Sequence, residues 1–145
     1  MKWKNEYSLG IQEIDNQHKQ LLHSFSVIED AINLNPGREW ASIHYSIVEL
    51  QHLARMHFSF EESLMRLFGY PKTKEHSSEH EYFFVKIREI ESHSIRNSME
   101  LEMLEFLRVW LTKHILGIDR DYARHILSGA VIVREPASGI GQQDE

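Results

Sequence analysis

Four stretches of this chain carry apolar residues at three- and four-residue spacing, and proline or glycine marks most of the breaks between them. That period is the signature of helices with one buried face. The first stretch, 15–34, carries Leu21, Leu22, Phe25, Ile28 and Ile32. Asp15 would cap its start, and NPGR at 35–38 would end it. The second, 39–68, carries Trp40, Ile43, Ile47, Leu50, Ala54, Phe58, Leu64 and Phe68, and is broken by GYP at 69–71. The third, 74–92, carries Phe83, Phe84, Ile87 and Ile90. The fourth, 98–128, carries Leu101, Leu104, Leu107, Leu111, Ile115 and Ile118. NSME at 97–100 has the capping-box pattern, Asn97 with Glu100, and Gly129 stands where a C-terminal glycine belongs.

No strand pattern competes in this region. Four helices with short connections predict an all-α fold, an antiparallel up-down-up-down four-helix bundle. The first 14 residues form an N-terminal arm, in which Trp3, Tyr7, Leu9, Ile11 and Ile14 would pack along the bundle. The expected domain covers 1–130. Residues 131–145 are expected to be a short C-terminal tail, although the apolar run AVIV spans that boundary.

A chain of 145 residues suits one domain. At 41% hydrophobic and 26% charged it belongs with soluble globular proteins. A net charge of −6 argues against a nucleic-acid surface. There is no cysteine, so disulfides, thiolate metal sites and cysteine nucleophiles are excluded. The opening MKWKNEYSLG shows no signal peptide, and no stretch approaches the roughly 20 apolar residues that span a bilayer. The expectation is a cytoplasmic protein with no membrane partner. No feature of the sequence identifies a protein partner.

Ten histidines exceed an ordinary share, and histidine is the commonest metal ligand. His57 and Glu61 are four apart on the second helix, and His76 and His80 four apart on the third. Four residues of helix turn the chain by about 40° and raise it about 6 Å, so each pair shares a side. His18 lies near the start of the first helix, and the fourth offers His114 and Asp119. Each pair alone is an ordinary surface contact. Together they give every helix a candidate ligand, which is how metal sites are built inside bundles. The spacing of five between His114 and Asp119 would separate them by about 140° in a regular helix. Either the helix widens locally, which Gly117 would permit, or the two reach the site from different angles.

The order His18, then His57 with Glu61, His76 with His80, and His114 with Asp119 resembles the hemerythrin signature. The stretches SLGIQEIDNQHKQL, HFSFEESLM, GYP and WLTKHILGIDRDY also resemble bacterial single-domain members of that family, over roughly residues 3–128. Five imidazoles, two bridging carboxylates and one bridging oxygen fill all but one position of two octahedral ions. Nitrogen and carboxylate donors without sulfur allow iron, zinc or manganese. The resemblance implies two iron ions, Fe2+ or Fe3+, with a bridging oxo or hydroxo group. It also implies the partition: His76, His80 and His114 on one iron, His18 and His57 on the other, Glu61 and Asp119 bridging. Dioxygen would enter at the open position beside the two-histidine iron, where nitric oxide and small anions would compete.

Leu111, Trp110, Phe58, Ile115 and Ile118 are available to line a dry pocket there, and the resemblance puts Leu111 beside the bound oxygen. His23, His44, His52, His93 and His125 do not fit the signature; His125 shares the face of His114 but lies about 16 Å further along. The function expected is reversible dioxygen binding for storage, delivery or sensing, without enzyme activity. The alternatives are a di-iron enzyme acting on peroxide or nitric oxide at the same site, and a metal-free helical interaction module.

Overall fold

The computed structural model describes residues 1–34, 39–92 and 96–128. A 3-10 turn, Asn5–Tyr7, precedes four long helices: α1 (Gln12–Leu34), α2 (Trp40–Leu67), α3 (Thr73–Glu91) and α4 (Arg96–Lys113). The fourth runs on through a π-helical turn, His114–Ile118, and resumes as α-helix over 119–128. No strand occurs among the described residues. The NPGR connection, His93, Gly129 and the expected tail lie outside them.

Side-chain contacts fix the direction of each helix. His18, in the first half of α1, meets His57 in the second half of α2 and Asp119 beyond α4. His76, early in α3, meets Asp119 as well. His44, early in α2, bonds Glu91 at the end of α3. The helices therefore alternate up and down, as the short connections predict.

Two apolar clusters fill the interior. The larger joins Leu22, Phe25 and Ile28 of α1 to Ile47, Leu50 and Phe58 of α2, Phe83 and Ile87 of α3, and Leu107 and Leu111 of α4. The smaller, at one end, contains Leu9, Ile14, Met65, Tyr122, Ala123 and Ile126. Between them each helix places polar residues on its own buried stripe. His18 falls between Ile14 and Leu21, Glu61 between Phe58 and Met65, and Asp119 between Ile115 and Tyr122, all of them buried. A polar layer is thus sealed on both sides by core.

Local signals were met unevenly. α1 starts three residues before Asp15, so Asp15 is not its cap. It sits in the first turn and reaches back, accepting from Leu9 N at 2.9 Å and Ser8 Oγ at 2.5 Å, which ties the arm to the helix. α4 already includes Arg96, so the backbone of Asn97 is helical, and its side-chain capping lies outside the described residues. Leu101 is 65% exposed; the inward line of α4 runs through Met99, Met103, Leu107 and Trp110 instead. The GYP break has a clear mechanism. Gly69 adopts φ +63, Tyr70 N donates to Met65 O at 2.9 Å and Gly69 N to Arg66 O at 3.3 Å. This is a Schellman ending, and Tyr70 packs in the same cluster as Met65.

Candidate metal centre

All five signature histidines turn Nε2 toward the two buried carboxylates. His18 Nε2 lies 2.8 Å from Asp119 Oδ2, and His57 Nε2 lies 2.6 Å from Glu61 Oε1. His76 Nε2 and His114 Nε2 lie 3.0 and 2.8 Å from Asp119 Oδ1. His80 Nε2 lies 3.1 Å from Glu61 Oε2 and 3.1 Å from His114 Nε2. The seven residues the sequence set apart are therefore brought to one place. They form two overlapping groups, Glu61, His76, His80, His114 and Asp119 in one, His18, His57, Glu61 and Asp119 in the other. Within each group the donor atoms lie within 4.8 Å of one another, close to the roughly 4 Å span of ligands around one octahedral ion.

The π-helical turn resolves the awkward spacing on α4. Asp119 N donates to His114 O, five residues back, so one widened turn replaces one ordinary turn. Arg120 secures it: Nε donates to Leu116 O at 3.2 Å and Nη2 to Glu6 O at 2.9 Å, pinning the widened turn to the arm. Neither backbone conformation nor space calls for a glycine at position 117: φ there is not positive, and an added Cβ would meet nothing within 4 Å.

The chemistry of the donors tests whether ions fit. Among the described residues, Nε2 of His57 and His76, Oε2 of Glu61 and Oδ1 of Asp119 are buried without a hydrogen-bond partner. His57 Nε2 and His76 Nε2 are near carboxylate oxygens yet not directed at them. Proximity without direction is expected of atoms aimed at a point between them. Buried polar groups left in this state are costly, and cations would relieve the cost. The residues fit a pair of ions.

Without metal the cluster holds protons instead. Burial disfavours charge on His57, but the nearby negative charges of Glu61 and Asp119 outweigh it and raise its pKa to about 9. His114 is raised in the same way to about 10, with Asp119 its strongest partner. His18 and His76 are raised as well, again against the effect of burial. Burial also resists ionisation of the two carboxylates, yet the surrounding imidazoles hold Glu61 and Asp119 well below their ordinary values.

Several neighbours were not legible as site residues. Tyr122 donates its hydroxyl to Glu61 Oε1 at 3.0 Å, and burial with the nearby carboxylates pushes its pKa up. His57 Nδ1 donates to Gln17 Oε1 at 2.6 Å, and His80 Nδ1 to Glu62 Oε2 at 2.9 Å. Phe58 stacks on His80 at 3.9 Å and Trp110 on His114 at 4.3 Å. Leu111 and Ile115 are buried in the same apolar cluster as Phe58 and Trp110. Ile118 is half-buried, in the wall of an outer groove between α3 and α4. Of the remaining histidines, His23, His44 and His52 are exposed, and His125 is half-buried, donating to Phe68 O at 2.8 Å. None of these joins either group.

The sequence model of one protein family, described as the hemerythrin HHE cation binding domain, matches residues 9–126. The chain is 33% identical over 127 residues to a bacteriohemerythrin of Clostridium acetobutylicum, covering 83% of this chain and 96% of that one. It is 35% identical over 136 residues to a bacteriohemerythrin of Pseudomonas paraeruginosa, covering 89% and 85%. It is 26% identical over 121 residues to a myohemerythrin of Sipunculus nudus, covering 83% and 88%.

Proposed function

The chain belongs to the hemerythrin family, and from that premise we propose that it binds dioxygen reversibly at a non-haem di-iron centre, for storage, delivery or sensing. The observation that carries this reading is that the two groups of donors share only Glu61 and Asp119. A pair of ions needs bridging groups common to both, and carboxylates are the donors able to bridge. His76, His80 and His114 would hold one iron and His18 and His57 the other, with Glu61 and Asp119 shared between them and an oxo or hydroxo group completing the centre. When bound, a ferrous pair supplies the electrons that dioxygen takes up on binding and returns on release.

The chain's own residues set the conditions. Five imidazoles would bind as neutral donors, so with only two carboxylates the loaded centre would be cationic. Ligation by Nε2 requires the ring proton on Nδ1, and Gln17 and Glu62 accept that proton from His57 and His80. Stacked Phe58 and Trp110 fix ring planes on the three-histidine side. Leu111 and Ile115 exclude water from the cluster's larger apolar flank. Nitric oxide and small anions are further ligands for the same position.

A di-iron enzyme acting on peroxide or nitric oxide is the alternative. It would draw on a proton donor at the centre. Tyr122 is the buried hydroxyl the fold brings there, but it is engaged with Glu61 and its raised pKa makes it a poor acid. No helix among the described residues is long and apolar enough to cross a membrane; a cytoplasmic site of action is part of the proposal.

The test is an absorption spectrum of iron-loaded, anaerobically reduced protein before and after air. The expected result is two irons per chain, a nearly colourless reduced form, a coloured form in air, and bleaching when oxygen is removed. One iron per chain at full occupancy would contradict the paired centre. Irreversible oxidation on first exposure, with rapid turnover of added peroxide, would favour the enzyme. Glu61→Ala should lose both irons, whereas His125→Ala should keep them.

A further inference from the structure

The five inward-facing imidazoles are not backed alike. His80 Nδ1 donates to a carboxylate, Glu62 Oε2, at 2.9 Å. His57 Nδ1 donates to a neutral amide oxygen, Gln17 Oε1, at 2.6 Å. Each acceptor is itself held in place. Ser77 Oγ donates to the other oxygen of Glu62 at 2.7 Å, and Ser77 and His80 are one turn apart on α3, so a single carboxylate from α2 clamps both. Gln17 donates its amide nitrogen to Glu13 at 3.1 Å, which turns the amide oxygen toward His57. The side chain of Glu62 is 23% exposed, while the ring it backs is buried.

We propose that Glu62 is a positioning residue that makes His80 a stronger electron donor to the three-histidine ion than His57, backed by Gln17, is to the other. The inference rests on the ligand reading above. A carboxylate behind Nδ1 fixes the tautomer with its proton on that nitrogen, so the Nε2 lone pair faces inward. Partial withdrawal of that proton by the anion raises the basicity of Nε2. A neutral amide fixes the tautomer without adding charge. Two bound ions would thus meet a built-in asymmetry beyond their ligand count: the three-histidine group also contains the more electron-rich His80. When iron is bound, this would stabilise the oxidised state of that ion more than that of its neighbour.

The experiment uses the full chain with two readouts. The first is zinc affinity of the metal-free protein, measured by chelator competition. The second is the reduction potential of the iron-loaded protein. Glu62→Ala removes the acceptor and should weaken zinc binding by about 10- to 100-fold, the usual effect of losing such a partner. Glu62→Gln keeps an acceptor without the charge; it should weaken zinc binding less and shift the potential positive. Gln17→Glu places a charge behind His57 without touching Glu62, and should shift the potential negative. A purely structural role for Glu62 would leave the potential of Glu62→Gln at the parent's value. Unchanged potentials in both, with zinc affinity of Glu62→Ala equal to the parent's, would overturn the proposal. His80→Ala separates the two levels: if it still binds two metal ions per chain at parental affinity, the ligand reading itself fails.

Discussion

Asp119 N donates to His114 O across five residues, and in the same turn Asp119 Oδ1 comes within 2.8 Å of His114 Nε2. One backbone bond therefore accounts for how α4 presents two donors to one point. A regular α-turn closes over four residues; here five do the same work. The site depends on completed turns and not on residue count.

Residue insertion and deletion separate those two quantities. Removing Gly117 lets the segment close as an ordinary α-turn, leaving His114 and Asp119 on one face about 40° apart. Two metal ions per chain should still bind. Adding an alanine after Gly117 leaves six residues between closures and turns Asp119 by about a further 100°. That variant should remain helical by circular dichroism but lose paired metal binding, since Asp119 belongs to both donor groups. Equal loss in the two variants would show that the widened turn itself, and not its phase, is required.

Two glycines that look alike in the sequence should respond oppositely to alanine. Gly69 has φ +63 at the end of α2, where a side chain is strained by about 1–2 kcal/mol. Gly69→Ala should destabilise by about that amount in denaturant unfolding. Gly117 has open space for a Cβ and no positive φ, so Gly117→Ala should be neutral or stabilise by about 0.5–1 kcal/mol. A large loss at Gly117 would mean the π-helical turn needs glycine after all.

The metal-free protein should lose stability as pH rises. His57 and His114 have ordinary pKa values of 6.5, raised in the fold to about 9 and about 10. Groups raised by folding contribute fully below 6.5, and the contribution disappears as pH passes upward through 9 and 10. Glu61 and Asp119 are depressed, so their contribution is present above their ordinary values of 4.5 and 3.8 and is lost on acidification below them. Thermal unfolding of metal-free protein should therefore show Tm highest near pH 5–6 and falling toward pH 10, roughly the window those values set. Metal must displace the imidazole protons, so loading at neutral pH should release protons and flatten the alkaline limb. A metal-free Tm that rises from pH 7 to 10 would contradict this charge arrangement.

The bundle was legible because its information is local. Apolar spacing marked four helices, and His18, His57, Glu61, His76, His80, His114 and Asp119 stood on stripes that the fold turns inward. What escaped depends on relations between helices. Glu62 looks like a surface residue beside Glu61; only the approach of α3 reveals that it backs His80. Gln17 and Tyr122 likewise act on residues 40 and 61 positions away. Asp15 fails as a cap for a related reason. Asp15 carries the side chain of a cap but spends it on Leu9 and Ser8, because the arm needs an anchor there. The spacing of His114 and Asp119 left two backbone solutions open, and only the hydrogen bond from Asp119 to His114 chooses between them.

Leu111 offers the sharpest test of whether the apolar flank protects the proposed oxygen-binding centre. It is buried one turn before His114, in the cluster that also holds Phe58, Trp110 and Ile115. Leu111→Asn puts an amide where the surroundings are apolar, and an amide there costs about 1–3 kcal/mol unless water or another partner follows it in. Water admitted to that flank brings protons to the centre. The oxygenated form should then decay to the ferric product faster than in the parent, by severalfold or more, while the iron content stays at two per chain. Leu111→Met conserves volume and polarity closely enough to cost less than about 1.5 kcal/mol. It should leave the decay rate near the parent's. The measurement is the time course of the oxygenated absorption band in air-equilibrated buffer for the three proteins. Parental decay in Leu111→Asn, with oxygen still released and rebound, would keep dioxygen binding as the function and move the protecting flank away from Leu111. Faster decay in both variants would assign the protection to tight packing at this position and not to the exclusion of water.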